Sequence, residues 1–136
     1  MTVYRVIYTS RPFGYDSAML NSILMDARTA NVRDDITGAL ICRDDIYLQW
    51  LEGPEDKVRA AVDRIRRDDR HIDVTVQSEG TAPERVFARW SMLHDPAVSW
   101  IWPPEDVAAG AAERATAQEV EGFFMKLRDQ HAASTA

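Results

Sequence analysis

The chain of 136 residues is poor in cysteine, in histidine and in positive charge, and each shortage excludes a class of protein. The single cysteine, Cys42, rules out a disulfide within the chain and is typical of a reducing compartment, so we expect a cytoplasmic protein. The net charge of −6 argues against a nucleic-acid partner, because phosphate binding needs a basic surface. The three histidines, His71, His94 and His131, lack the spacing of metal ligands.

Long apolar runs and the common catalytic motifs are also missing. No uncharged apolar run approaches the roughly 20 residues that cross a bilayer, and the N-terminus has no basic region followed by an apolar core. We therefore expect neither a membrane protein nor a secreted one. The chain has no P-loop, no Gly-x-Gly-x-x-Gly and no Gly-x-Ser-x-Gly. With 46% hydrophobic and 28% charged residues, it has the composition of a globular domain rather than that of a disordered segment.

The hydrophobic periodicity predicts the element order β-α-β-β-α-β-β. The predicted strands cover residues 3–8, 36–42, 46–51, 72–77 and 86–93, and the predicted helices cover residues 16–30 and 54–68. This order is typical of a ferredoxin-like α+β sandwich, in which two helices cover one face of a mixed five-stranded sheet. We assign residues 1–95 to this domain.

Residues 96–136 differ in composition and are predicted to form a short helical extension. Residues 100–104 read as a connector, and residues 105–130 as one or two helices. Apolar side chains recur there at helical spacing, at Val120, Phe123, Phe124 and Leu127. Such a stripe needs a surface to cover, either the open face of the sheet or another subunit.

One polar side chain interrupts an apolar strand. Gln49 lies within Ile-Tyr-Leu-Gln-Trp-Leu, and a buried primary amide needs partners for two donors and an acceptor. Strand parity and helical spacing direct Tyr8 and Asn31 to the same helix–sheet crevice. Trp90 and Met92 share a parity on the last predicted strand and would reach its edge. Each residue also has a purely structural interpretation: a backbone or water partner for Gln49, a helix C-cap for Asn31, and core filling for the others.

An arginine cluster ends the second predicted helix. The cluster consists of Arg64, Arg66, Arg67 and Arg70. Its members either stabilise the helix dipole and are solvated, or one or two of them bind a ligand phosphate.

Several blocks of this sequence, in order and at compatible spacing, resemble the BLUF family of blue-light sensors that use FAD. The resemblance covers about residues 3–95. The blocks are Tyr8-Thr-Ser, Asn31-Val-Arg-Asp-Asp-Ile-Thr-Gly-Ala-Leu, Gln49-Trp-Leu-Glu-Gly, Arg67-Asp-Asp-Arg-His and Phe87-Ala-Arg-Trp-Ser-Met.

The resemblance implies a flavin ring held between the two helices. Asn31 would bind the pyrimidine edge, and Gln49 would lie between Tyr8 and the flavin. The remaining residues that it implies at the cofactor are Ile23 and Ile65 on the ring faces, Asp69, Arg70 and His71 toward the dimethylbenzene or ribityl side, Arg67 in the arginine cluster, and Trp90 and Met92 near the glutamine. Ala30 stands where the family often has a polar residue, so the hydrogen bond to the flavin's other carbonyl is either missing or supplied by a water or by Arg33.

The implied activity is light sensing rather than catalysis. Tyr8 would give an electron and a proton to the excited flavin, and Gln49 would then change its rotamer or tautomer. The resemblance implies a short stand-alone photoreceptor. Its expected output is a change in the C-terminal helices, in homo-oligomeric state or in binding to a downstream protein. A flavin-dependent enzyme, a ferredoxin-like acylphosphatase and a ligand-free interaction module are the alternatives. The colour of the purified protein separates these alternatives: a colourless protein that takes up no FAD would contradict the sensor, and a yellow protein that oxidises NAD(P)H steadily would favour the enzyme.

Overall fold

A single sheet with helices on both faces forms the body of the protein. The structure, a computed structural model, describes residues 2–12, 17–42, 46–68, 71–88, 90, 92–95 and 102–134. The strands are β1 (Val3–Pro12), β2 (Thr37–Cys42), β3 (Tyr47–Gly53), β4 (His71–Ala82) and β5 (Leu93–Asp95). They lie in the order β4-β1-β3-β2-β5. Strand β1 is antiparallel to both β3 and β4, and β2 is antiparallel to β3. The short β5 runs parallel to β2.

Two long helices connect the strands on one face, and three follow the sheet. The connecting helices are α1 (Ser17–Asp34) and α2 (Glu55–Arg66), and the C-terminal helices are α3 (Pro104–Ala108), α4 (Ala111–Arg114) and α5 (Ala117–Ser134). The α+β class that the sequence predicts is confirmed. Within the described residues, no helix is long and apolar enough to cross a membrane.

The alternation of side chains along β3 produces two separate hydrophobic cores. Tyr47 and Leu51 belong to a core under α1 and α2, together with Ile23 and Val58. We call it the helix-face core. Leu48 and Trp50 point the other way, into a core that the C-terminal helices cover. We call this one the C-terminal core, and its members from the C-terminal segment include Trp102, Val107, Val120, Phe124 and Leu127. The apolar stripe of the C-terminal segment therefore covers the second face of this same sheet.

Several predicted boundaries are wrong. Strand β1 continues beyond residue 8 to Pro12, and β4 continues beyond residue 77 to Ala82, because the two strands pair with each other over their full length. Residues 86–88 are not a strand, because the amides of Val86 and Phe87 donate to the carboxylate of Glu52 instead of to a neighbouring strand. The first helix passes Ala30 and ends at Asp34, where Asp35 adopts a left-handed backbone (φ 58°). The C-terminal segment forms three helices rather than one or two.

Candidate functional site

A cavity of about 430 Å³ lies between α1, α2 and the centre of β3. Its volume is within the range of small-molecule sites in proteins. The residues that line it are Ile23, Asp26, Ala27, Ala30, Asn31, Arg33, Gln49, Leu51, Ala61, Arg64, Ile65, Arg67 and Asp68. Six of the thirteen are apolar, and the other seven are polar or charged, so that a bound ligand could be oriented by its polar groups.

Gln49 is the polar residue of the sheet that reaches this cavity. Its side chain is buried, and its Nε2 donates to Sδ of Met92 at 3.6 Å. A thioether is a weak acceptor, so this bond holds the amide only loosely. The amide can therefore turn at small cost when a stronger acceptor or donor is present in the cavity.

Tyr8 lies directly opposite Gln49, on the neighbouring strand β1. Side chains at such positions of an antiparallel pair are about 5 Å apart and interact. Tyr8 is fully buried, and this burial, with smaller contributions from the charge of Asp68 and from Tyr47, raises the pKa of its phenol well above the ordinary value. The phenol therefore keeps its proton over the physiological pH range.

Asn31 lines the cavity from α1 and is buried. The alternative in which it caps the helix is wrong, because the helix continues to Asp34. Its backbone carbonyl accepts from the amide of Ile36 at 2.9 Å, which ties the last turn of α1 to the start of β2. The amide side chain is thus held at a fixed depth in the cavity wall.

Two isoleucines form opposite apolar walls. Ile23 on α1 and Ile65 on α2 both line the cavity, and both contact the helix-face core. Ala30 adds a methyl group one residue before Asn31, where it offers no hydrogen bond.

Charged side chains form the rim of the cavity. Arg33 donates two hydrogen bonds of 2.9 Å to Asp34, and these bonds lower the pKa of the Asp34 carboxyl below its usual range. Arg64 approaches the same carboxylate at 3.8 Å. Arg67 and Asp68 complete the rim. Asp69 and Arg70 lie outside the described residues, as does the side chain of His71.

The structure separates Trp90 from Met92. Met92 belongs to the helix-face core beside Gln49, whereas Trp90 packs against the C-terminal core, with its ring 6.2 Å from that of Phe87. The expectation that the two share a face is wrong, because the strand on which it rested is absent at residue 90.

Two residues that the sequence interpretation missed hold this region in place. Arg28 on α1 donates from Nε and Nη2 to the backbone carbonyl of Met92, at 3.3 and 3.1 Å. Glu52 is fully buried and binds the residues before Trp90. In the sequence, the position of Glu52 at the end of an apolar strand could have indicated its role. No local pattern predicts the role of Arg28, because its partner Met92 lies 64 residues away along the chain.

The chemistry of this cavity fits a flavin. Two apolar walls suit a planar ring, and the buried amides of Gln49 and Asn31 provide donors and acceptors for its polar edge. The arginines at the rim suit an anionic group that extends from the ring. Among the residues described, no group of three or more His, Cys, Asp or Glu side chains is placed to hold a metal ion.

Comparisons with known proteins agree with this chemistry. Residues 3–93 match the BLUF family, described as sensors of blue-light using FAD. The chain is 33% identical over 103 residues to the photoactivated adenylate cyclase subunit beta of Euglena gracilis, which covers 74% of this chain and 12% of that protein. Among solved structures, the photo-activated state of BlsA has a TM-score of 0.74 at 25% identity and covers 94% of this chain and 95% of that one.

The fold is shared with a more distant structure as well. The dark state of BlrB, a BLUF protein, has a TM-score of 0.78 at 21% identity and covers 94% of this chain and 96% of that one. The chain spans only about an eighth of the cyclase subunit that it matches. The family match nevertheless covers well over half of the chain, and the chain therefore belongs to the BLUF family of blue-light sensors.

Proposed function

We propose that this BLUF sensor binds its flavin as FAD in the cavity between α1 and α2, and that Gln49 is the residue whose hydrogen bonds change on illumination. The observation that carries the proposal is the position of the Gln49 amide. It is buried in the cavity wall, lies opposite Tyr8, and is held on its far side by the weak acceptor Sδ of Met92.

Bound flavin supplies the absorption of blue light and, once excited, a strong oxidant. Tyr8 is the buried phenol beside the cavity that can release an electron together with its proton. Its raised pKa supports this role, because the proton is present at any physiological pH. Gln49 can accept that proton or pass it on, because an amide has both a donor and an acceptor end. The electron and the proton would then return to Tyr8, and the Gln49 amide would remain turned away from Met92, bonded in the opposite orientation by rotation or as its tautomer.

The other cavity residues bind rather than react. Asn31 would hold the polar edge of the ring, and Ile23 and Ile65 would contact its two faces. Arg33 is engaged with Asp34, so it would act through its charge at the rim. We assign the extended phosphate side to Arg67, with Asp69, Arg70 and His71 beyond it. Trp90, in the C-terminal core, would respond to the switch from behind Met92.

The output is proposed to reach another protein through the C-terminal helices. Trp50 follows Gln49 directly, and its ring lies 5.5 Å from that of Phe124 on α5. A shift of β3 at the cavity would therefore displace a side chain that supports α5. We therefore divide the chain into two functional parts. Residues 1–95 bind the flavin, and residues 96–136 transmit the signal to a second copy of the chain or to a downstream partner. We expect the protein to have no catalytic activity of its own.

The test is a light-minus-dark absorption spectrum of the purified protein, after reconstitution with FAD, FMN or riboflavin. We expect a reversible red shift of the flavin bands and the tightest binding for FAD, because its second phosphate and its adenosine can make contacts that FMN and riboflavin lack. Size-exclusion chromatography with light scattering, in the dark and under blue light, tests the change of assembly. A protein that takes up no flavin, or that oxidises NAD(P)H steadily, would contradict the proposal.

A further inference from the structure

We infer that Glu52 is a positioning residue, which fixes the segment of residues 86–92 so that Met92 remains against the amide of Gln49. The inference rests on the proposed role of Gln49 and extends it to a buried carboxylate that the light reaction does not itself use. Glu52 lies on β3, three residues after Gln49, and therefore faces the opposite side of the sheet.

The carboxylate of Glu52 is fully buried and accepts four hydrogen bonds. Its Oε1 accepts from the backbone amide of Val86 at 2.8 Å and from the indole of Trp50 at 3.1 Å. Its Oε2 accepts from the amide of Phe87 at 2.7 Å and from the hydroxyl of Thr37 at 2.9 Å. Hydrogen bonds to an ionised acceptor are about twice as strong as neutral ones. One side chain thus joins β2, β3 and the irregular segment after β4.

Among the described residues between Phe87 and β5, Trp90 and Met92 form hydrogen bonds through their backbone groups. The amide of Trp90 donates to the carbonyl of Phe87, and the carbonyl of Trp90 accepts from Gly38, each at 3.0 Å. Arg28 binds the carbonyl of Met92. Because a regular ladder is absent from residues 86–88 and 90, the bonds to Glu52 fix the direction in which the chain leaves toward Met92. The position of Sδ of Met92 at Gln49 therefore depends on a carboxylate on the other face of the sheet.

A glutamine cannot replace this carboxylate. All four partners are donors, and a primary amide has one oxygen and one NH₂ group. In either orientation its NH₂ would face a backbone N–H, of Val86 or of Phe87, and that amide would lose its acceptor. Glu52→Gln therefore keeps nearly the same shape but removes the hydrogen bond to the backbone amide of either Val86 or Phe87.

The experiment measures Glu52→Gln beside a matched control, Glu79→Gln. Glu79 is exposed and accepts a hydrogen bond from Tyr4 at 2.7 Å, away from residues 86–92. In the dark, we expect hydrogen exchange at Val86 or Phe87 to rise at least tenfold in Glu52→Gln and to stay within twofold in the control. With FAD bound, we expect dark recovery after illumination to slow at least threefold, because the acceptor to which the Gln49 amide returns is displaced.

A double variant decides whether Glu52 acts through Met92. Met92→Leu removes the sulfur acceptor with little change of volume, and adding Glu52→Gln to it should change the recovery rate by less than twofold. Equal slowing of recovery in the presence and absence of Met92 would overturn the inference, as would unchanged recovery in Glu52→Gln alone.

The wild-type protein supplies a second readout if Glu52→Gln does not fold. In the dark, the Val86 and Phe87 amides should be as protected as those of β3, and exchange within seconds would show that the bonds do not hold the segment. A wild-type protein without a reversible red shift would instead contradict the proposed function, and the dark exchange measurement would still test the bonds to Glu52.

Discussion

Tyr8 and Gln49 face each other across β1 and β3, and Met92 contacts the amide of Gln49 from β5's side of the sheet. The amide is therefore placed between a buried phenol and a weak sulfur acceptor. Burial keeps the phenol protonated, and the thioether holds the amide loosely. In the proposed function, this arrangement stores the signal as the orientation of the Gln49 amide, with no covalent bond of the protein broken in the final state.

Replacement of Tyr8 by phenylalanine should retain the flavin and abolish the light response. The ring still fills the helix-face core, whereas the hydroxyl that supplies the electron and the proton is lost. The measurement is the light-minus-dark absorption spectrum, with Tyr47→Phe as the control in the same core. A normal red shift in Tyr8→Phe would remove this residue from the reaction.

Gln49→Leu should also abolish the response, but for a different reason. Leucine has nearly the same volume, so the loss of packing should stay below about 1.5 kcal/mol. The reversible amide opposite Tyr8 is absent. Infrared difference spectroscopy of the flavin carbonyl is the readout. If illumination still weakened that C=O bond as in the wild type, Gln49 would not be the switch.

Asn31→Ala should weaken flavin retention. A ligand edge that loses its amide partners in a buried site forfeits about 1–3 kcal/mol, or roughly a 5- to 150-fold rise in Kd. Ala30, which precedes Asn31 in the cavity wall, offers no hydrogen bond in its place. Titration with FAD measures the change, and Val32→Ala, on the exposed face of the same helix, is the control. Equal affinity in the two variants would show that Asn31 has only a structural role.

The protonation of Tyr8 predicts a loss of stability at alkaline pH. Below its ordinary pKa of 10.0 the phenol is protonated in the folded and the unfolded chain alike. Above that pH the unfolded chain releases the proton, whereas the folded chain keeps it until its higher pKa is reached. The free energy of unfolding therefore falls with pH by up to about 1.4 kcal/mol per unit. Thermal unfolding between pH 8 and 11 should show a shallower decline in Tyr8→Phe than in the wild type; parallel declines would contradict the assignment.

The sequence predicts the cavity better than it predicts the segment that supports it. Tyr8, Gln49 and Asn31 follow from strand and helix periodicity, which fixes the direction of a side chain within a regular element. Trp90 lies in an irregular segment, where direction depends on single long-range bonds to Glu52 and Gly38. Such bonds leave no period in the sequence. The contact of Arg28 with Met92 escapes prediction for the same reason, since it joins residues far apart through a backbone carbonyl.

Coupling between the cavity and α5 is expected to pass through one aromatic contact. Trp50 is buried with its ring 5.5 Å from Phe124, and it directly follows Gln49 on β3. Phe124→Leu removes the ring edge that meets the indole while retaining an apolar side chain. We expect it to leave the red shift of the flavin unchanged and to reduce, by at least half, the light-induced change in hydrogen exchange of residues 117–134.

A control variant at the neighbouring Phe123 distinguishes this coupling from a general loss of stability of α5. Phe123 lies on the same helix, but its ring meets Trp102, at 5.1 Å, rather than Trp50. Phe123→Leu should therefore destabilise the C-terminal core without reducing the light-dependent difference. If both variants reduced it equally, the signal would depend on the stability of α5 as a whole. If neither did, it would leave the flavin domain by another surface, and the faces of α1 and α2 beside the cavity would be the next to test.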